Sequence, residues 1–87
     1  MKITKRSGNI VMYDDEKIVA SVLKANEGTG EALSQKSAEY LADAVLGQLV
    51  KEHDIVTTEL IREGIYEDLR DWGLYLTAQR YKDYSKE

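Results

Sequence analysis

The chain has 87 residues, 43% of them apolar and 32% charged, with no proline; this length allows one small domain around one modest core. With no cysteine there is no disulfide, thiolate nucleophile or thiolate zinc site, and the single histidine, His53, cannot build a histidine cluster. A formal net charge of −4 argues against a nucleic-acid binder. No apolar run approaches the ~20 residues that cross a bilayer.

The start Met1-Lys2-Ile3-Thr4-Lys5 lacks the apolar segment of a signal peptide, so the cytoplasm is the expected location. Charge is unevenly placed. Residues 1–24 hold five Lys or Arg against three Asp or Glu, whereas residues 25–87 hold seven against thirteen. The N-terminal quarter is therefore the anion-facing part.

Residues 2–6 and 9–13 read as short strands, with Ile3, Ile10, Val11 and Tyr13 supplying β-branched and aromatic side chains. Gly8 and Asn9 tolerate the positive φ of a tight turn, which predicts a hairpin over residues 2–13. Asp14 is a suitable N-cap for a helix over 15–26. Asp15 and Glu16 complement its dipole, and Ile18, Val19, Val22 and Leu23 fall at helical spacing. Glu27-Gly28-Thr29-Gly30 lacks the Lys-Ser/Thr of a phosphate loop and reads as a linker.

A second helix, over 35–52, is the plainest pattern in the chain. Ala38, Leu41, Ala42, Val45, Leu46, Leu49 and Val50 form its apolar face, Ser34 is the cap, and Glu52-His53-Asp54 ends it. Ile55 and Val56 suggest a third short strand. Thr57 or Thr58 caps a third helix over 58–71, with Ile61, Ile65, Leu69 and Trp72 on one face despite Gly64, which costs ~1 kcal/mol relative to alanine. Gly73 breaks the chain. A fourth helix over 74–84 follows, carrying Leu74, Ala78, Tyr81 and Tyr84 on one side. The expected fold is α+β and mostly helical, an N-terminal hairpin capping a bundle of about four helices in a single domain spanning 1–87.

These residues resemble a known pattern, the ATP-cone, a regulatory nucleotide-binding domain of ribonucleotide reductases and related regulators. An aliphatic residue, a spacer, Lys-Arg and a following glycine appear as Ile3-Thr4-Lys5-Arg6-Ser7-Gly8. The next block is Tyr13, Asp14, Lys17 and Ile18, followed by Lys24-Ala25. Ile55, Thr58 and Ile61 lead through Ile65 and Leu69 to an Ala-x-x-Tyr-x-x-Tyr ending at Ala78, Tyr81 and Tyr84. Three blocks in order make the resemblance specific. Ser7, Tyr13 and Ser85 depart from the usual Asp, Phe and Arg, and the last removes a terminal cation.

The resemblance implies a non-enzymatic module that takes ATP or dATP as a regulatory ligand, with Mg²⁺ arriving, if at all, with the nucleotide. Lys5, Arg6 and Lys17 are the expected phosphate grip. Ile3, Tyr13, Asp14, Ile18 and Thr58 are the expected base and ribose pocket, and Arg62, one turn beyond Thr58, is a further candidate. The residues alone support the phosphate end, because Lys17 in a first helical turn sits beside backbone N–H groups that favour anions. Lys5 and Arg6 lie on opposite sides of a regular strand, so one polyphosphate reaches both only by wrapping the turn or if the strand twists.

Plainer readings stand beside these. Lys5 and Arg6 also suit edge-strand protection, Lys17 a surface pair with Asp14 or Glu16, Ile3 and Ile18 the core, and His53 a helix C-terminus. The expected partner is a ribonucleotide reductase catalytic subunit, or a second copy through the helices. At this length the chain is expected to be a free-standing cone or a piece of a reductase. The alternative is a degenerate cone that serves protein interaction without nucleotide.

Overall fold

The computed structural model describes residues 2–4, 10–12 and 15–84, of which 2–4, 10–12 and 15 are described through their backbone. Four helices make up its body: α1 (Asp15–Asn26), α2 (Gln35–Glu52), α3 (Thr58–Asp71) and α4 (Tyr75–Tyr84). α2 and α3 start, and α3 stops, for local reasons. Ser34 is extended, and its Oγ accepts the Ser37 N–H at 3.1 Å, satisfying an amide that the first turn of α2 leaves without a partner. Thr57 does the same for α3, accepting the Leu60 N–H at 3.2 Å.

The end of α3 is a two-bond stop. Gly73 takes φ +81, its N–H donates to the Arg70 carbonyl at 2.9 Å, and the Leu74 N–H donates to the Leu69 carbonyl at 2.8 Å. These bonds satisfy carbonyls at the end of the helix, and buried Leu69 and Leu74 supply the apolar residues that accompany this motif. The chain is thereby turned directly into α4.

The principal contacts run α1 on α2, α2 on α3, α3 on α4 and α4 on α1, so the four helices close around one core. Ile18 and Val22 from α1, Leu41 and Val45 from α2, Ile61, Ile65 and Leu69 from α3, and Ala78 and Tyr81 from α4 fill it. Full burial of one such aliphatic side chain contributes ~1.5–3 kcal/mol. The three α3 residues lie at steps of four, so a single stripe carries that helix's attachment.

The expected α+β fold, with a hairpin over 2–13 and a third strand capping the bundle, is corrected: the body is four helices, with no sheet in it. β1 (Lys2–Thr4) and β2 (Ile10–Met12) are three-residue segments paired antiparallel, Ile3 opposite Val11. Residues 5–9, which would join them, and residues 13–14, which would lead into α1, lie outside the described residues. Ile55 and Val56 form no strand. They lie in the connector out of α2, Ile55 at a bend and exposed, Val56 buried in the core, ahead of a single isolated bridge position at Thr57.

Three side chains expected on the apolar faces are exposed: Val50 at the end of α2, Trp72 and Tyr84. Trp72 instead lies beside Tyr40 of α2, ring centroids 6.2 Å apart.

Candidate functional site

Of the expected phosphate grip, Lys5 and Arg6 lie outside the described residues, as do Tyr13 and Asp14 of the pocket. Ile3 stands in β1, placed by its backbone pairing with Val11. Lys17 is exposed in the first turn of α1, where backbone N–H groups lack helical acceptors and an anion is favoured. One turn later the Ser21 hydroxyl donates to the Lys17 carbonyl at 2.9 Å. Ile18 is fully buried. Thr58 opens α3 and is half-buried, while the capping role falls to Thr57. Among the described residues no hydrogen bond or ion pair joins Lys17, Thr58 and Arg62 to one another.

Arg62 is exposed on α3 and borders a surface groove of about 320 Å³ with Tyr66, Arg70 and Lys82. The Arg70 guanidinium lies 5.7 Å and the Lys82 ammonium 5.1 Å from the Tyr66 ring centroid, so cations flank one aromatic face. Glu63 and Glu67 line the same groove and offset much of that charge. A larger groove of about 530 Å³ lies between α1 and α2, over Val19 and Leu23, but Glu16, Glu39 and Asp43 make its charge negative. Like charge disfavours a phosphate there.

The arrangement that sequence reading missed is at the α1–α2 connection. Asn26 Nδ2 donates to the Glu31 carbonyl at 2.8 Å and to Thr77 Oγ1 at 3.0 Å. The Glu31 carboxylate accepts the Leu76 N–H at 3.0 Å, the Thr77 N–H at 2.7 Å and the Thr77 hydroxyl at 2.7 Å. It thus caps α4 from 45 residues away in sequence. Gly28 at φ +75 and Gly30 at φ +77 provide the left-handed backbone that folds the loop back on itself. No local motif signals such a cap, because donor and acceptor meet only in the folded chain.

Desolvation, the largest single influence on the Glu31 carboxyl, pushes its pKa up. The hydrogen bonds from the Thr77 hydroxyl and the Thr77, Leu76 and Tyr75 amides together outweigh it and hold the group below the ordinary glutamate value. A carboxyl lowered on folding stabilises the fold above its unfolded pKa and loses that contribution as pH falls through the folded value. Acidification below about pH 4.3 is therefore expected to depress the melting temperature of the native chain more than that of Glu31→Gln, measured by circular dichroism in a pH series. Equal slopes would remove Glu31 from the acid sensitivity.

Asp68 is shifted the other way, raised by desolvation and then by the negative charges of Asp71 and Glu67. It sits near the C-terminal end of α3, where the helix dipole also disfavours a carboxylate. Burial among acids accounts for the shift. No group of three or more His, Cys, Asp or Glu able to hold a metal occurs among the described residues. No helix of the described residues is long and apolar enough to cross a membrane.

The closing tyrosine block is structural where it is described. Ala78 and Tyr81 are core, and exposed Tyr84 takes Lys24 and Arg80 over its ring, each 5.8 Å from the centroid. No curated protein matches the chain. The family model for the ATP cone domain matches residues 1–87, the whole chain. Domains of that family bind ATP or dATP as regulatory ligands and are not catalytic. With its four-helix body and an N-terminal segment rich in cations, the chain belongs to the ATP-cone family.

Proposed function

We propose that this chain is an adenine-nucleotide sensor that binds ATP or dATP at its N-terminal segment and passes the occupancy to a protein partner. The family match over the whole length, with Lys5, Arg6 and Lys17 all retained, is the observation that carries this reading. Lys5 and Arg6 hold the phosphates from the N-terminal segment, and Lys17 holds them from the first turn of α1. Ile3, Tyr13, Asp14 and Thr58 face the base and ribose, and Ile18 forms the core-side wall beneath them. Arg62, exposed on α3 one turn beyond Thr58, is a further candidate contact. Mg²⁺ accompanies the triphosphate, bound by its oxygens rather than by a protein cage.

The partner is a ribonucleotide reductase catalytic subunit or a second copy of the chain, met in the cytoplasm through the helices. Sensing requires ATP and dATP to favour different states of the assembly, since a ligand with equal affinity for both shifts nothing. Titration with ATP and with dATP, followed by amide shifts, tests the reading. Saturable shifts at residues 15–18 and 57–62 are expected with at least one nucleotide. Silence with both at millimolar concentration would leave the degenerate cone, a protein-interaction module without ligand, as the better account.

A further inference from the structure

Two helices that the core alone would only press together are also bonded through the loop between α1 and α2. Asn26, the last residue of α1, donates to Thr77 Oγ1 on α4, and the loop residue Glu31 caps the amides of Leu76 and Thr77. From the other side, the Arg80 guanidinium of α4 donates to the Glu27 carbonyl, just past the end of α1. Thr77 is fully buried, and its hydroxyl is satisfied both ways, accepting from Asn26 and donating to Glu31. The loop is thus fastened to α4 at its start, through Glu27, and again midway, through Glu31.

The residues beside the capped amides are not buried. Tyr75 is 62% and Leu76 57% exposed, so they are apolar side chains carried on the turn that Glu31 holds. At the opposite end of α1 stands Lys17. Nine residues of rigid helix, about 14 Å, separate it from Asn26, so a pull on the first turn of α1 is delivered to the Asn26–Glu31–Thr77 cluster as a shift of the whole helix.

We propose that residues 26–31 are a latch that makes the first turn of α4 follow α1, so that the exposed Tyr75–Leu76 pair moves with it. Its regulatory sense rests on the nucleotide reading above; its mechanical part does not. Asn26 and Glu31 are positioning residues in this scheme. They set where α4 begins without touching the ligand.

Amide hydrogen exchange on the full chain, without nucleotide, tests the mechanical part. Glu31→Gln is expected to speed exchange of the Leu76 and Thr77 amides about tenfold, the loss of a charge-assisted hydrogen bond read as local opening. Asn26→Ala, which contacts neither amide, should speed the same two, and the double variant should exceed the larger single effect by little, as members of one network do. Thr77→Ser, which keeps the hydroxyl, should stay near the native rates and so separates the latch from general loosening of the core. Additive effects, or α4 amides indifferent to Asn26→Ala, would overturn the latch.

The regulatory part is read with ATP added. The native chain should show shifted Leu76 and Thr77 amides, and Glu31→Gln should bind ATP within about threefold of the native affinity, well under 1.4 kcal/mol, while those two shifts disappear. Shifts that persist in Glu31→Gln would refute transmission through the latch. A native chain unresponsive to ATP at every amide would instead sink the nucleotide reading and, with it, the regulatory sense, while the exchange rates without nucleotide would still decide the latch.

Discussion

Replacing Gly64 by alanine is expected to destabilise the fold by about 1–3 kcal/mol, the range for overpacking a well-filled core. Propensity alone says the reverse, since alanine in a helix interior is favoured over glycine by ~1 kcal/mol. The contact between α2 and α3 decides the sign. A Cβ on Gly64 would stand 2.7 Å from Val45 Cγ1, and Val45 is 4% exposed. A valine in a helix keeps essentially one rotamer, so its methyl cannot swing away and the helices must separate. Urea denaturation should show a lowered midpoint with an unchanged slope. Adding Val45→Ala should cost less in the Gly64→Ala background than in the native chain, because the two changes share one contact. A stabilised Gly64→Ala would show that α3 does not pack as closely on α2 as described.

The joint change Lys5→Ala, Lys17→Ala is expected to weaken ATP binding by about two to four orders of magnitude, because hydrogen bonds to charged groups are worth ~1.5–3 kcal/mol each and 1.4 kcal/mol is tenfold. Stability without nucleotide should barely move, since Lys17 is exposed and surface substitutions usually fall within about 0.5 kcal/mol. Calorimetric titration at two salt concentrations reads both consequences. The variant should bind weakly and with a flatter salt dependence, having lost the charges that salt screens. Native affinity in the double variant would move the phosphate site elsewhere, with the Arg62, Arg70 and Lys82 groove the next place to look.

The helical face of α2 is legible in the sequence because its signal is local and repeated. Ala38, Leu41, Ala42, Val45, Leu46 and Leu49 return at steps of three and one and are all buried. Val50 continues the pattern by one position and is exposed, since the helix has reached the edge of its neighbours by then. Ile61, Ile65 and Leu69 are legible for the same reason, and Gly73 because a left-handed stop leaves few alternatives to glycine. β-branched residues misled at the expected third strand. Ile55 and Val56 have strand propensity but no partner strand, and that propensity reflects fit to a pleated surface rather than to the chain itself.

The candidate site was read from the order of Lys5-Arg6, Lys17-Ile18 and Thr58, a pattern of residue types that resembles a family and does not depend on packing. The stretch over residues 27–30 reads as a linker because the meaning of the loop it belongs to is non-local. Glu31 is an ordinary surface acid until Leu76 and Thr77 present their amides to it. Long-range polar contacts of this kind carry no periodicity and leave no mark within a window of neighbouring residues.

Thermal unfolding of the chain against increasing ATP and dATP tests the central claim most directly. A nucleotide that binds only the folded state stabilises it by RT ln(1 + [L]/Kd), about 2.7 kcal/mol at a hundred times Kd. For a domain of this size that raises the midpoint by roughly ten degrees or more. The account predicts such a rise, continuing with ligand concentration, for at least one of the two nucleotides, and its loss in Lys5→Ala, Lys17→Ala. A midpoint that stays fixed up to millimolar ATP and dATP would contradict it.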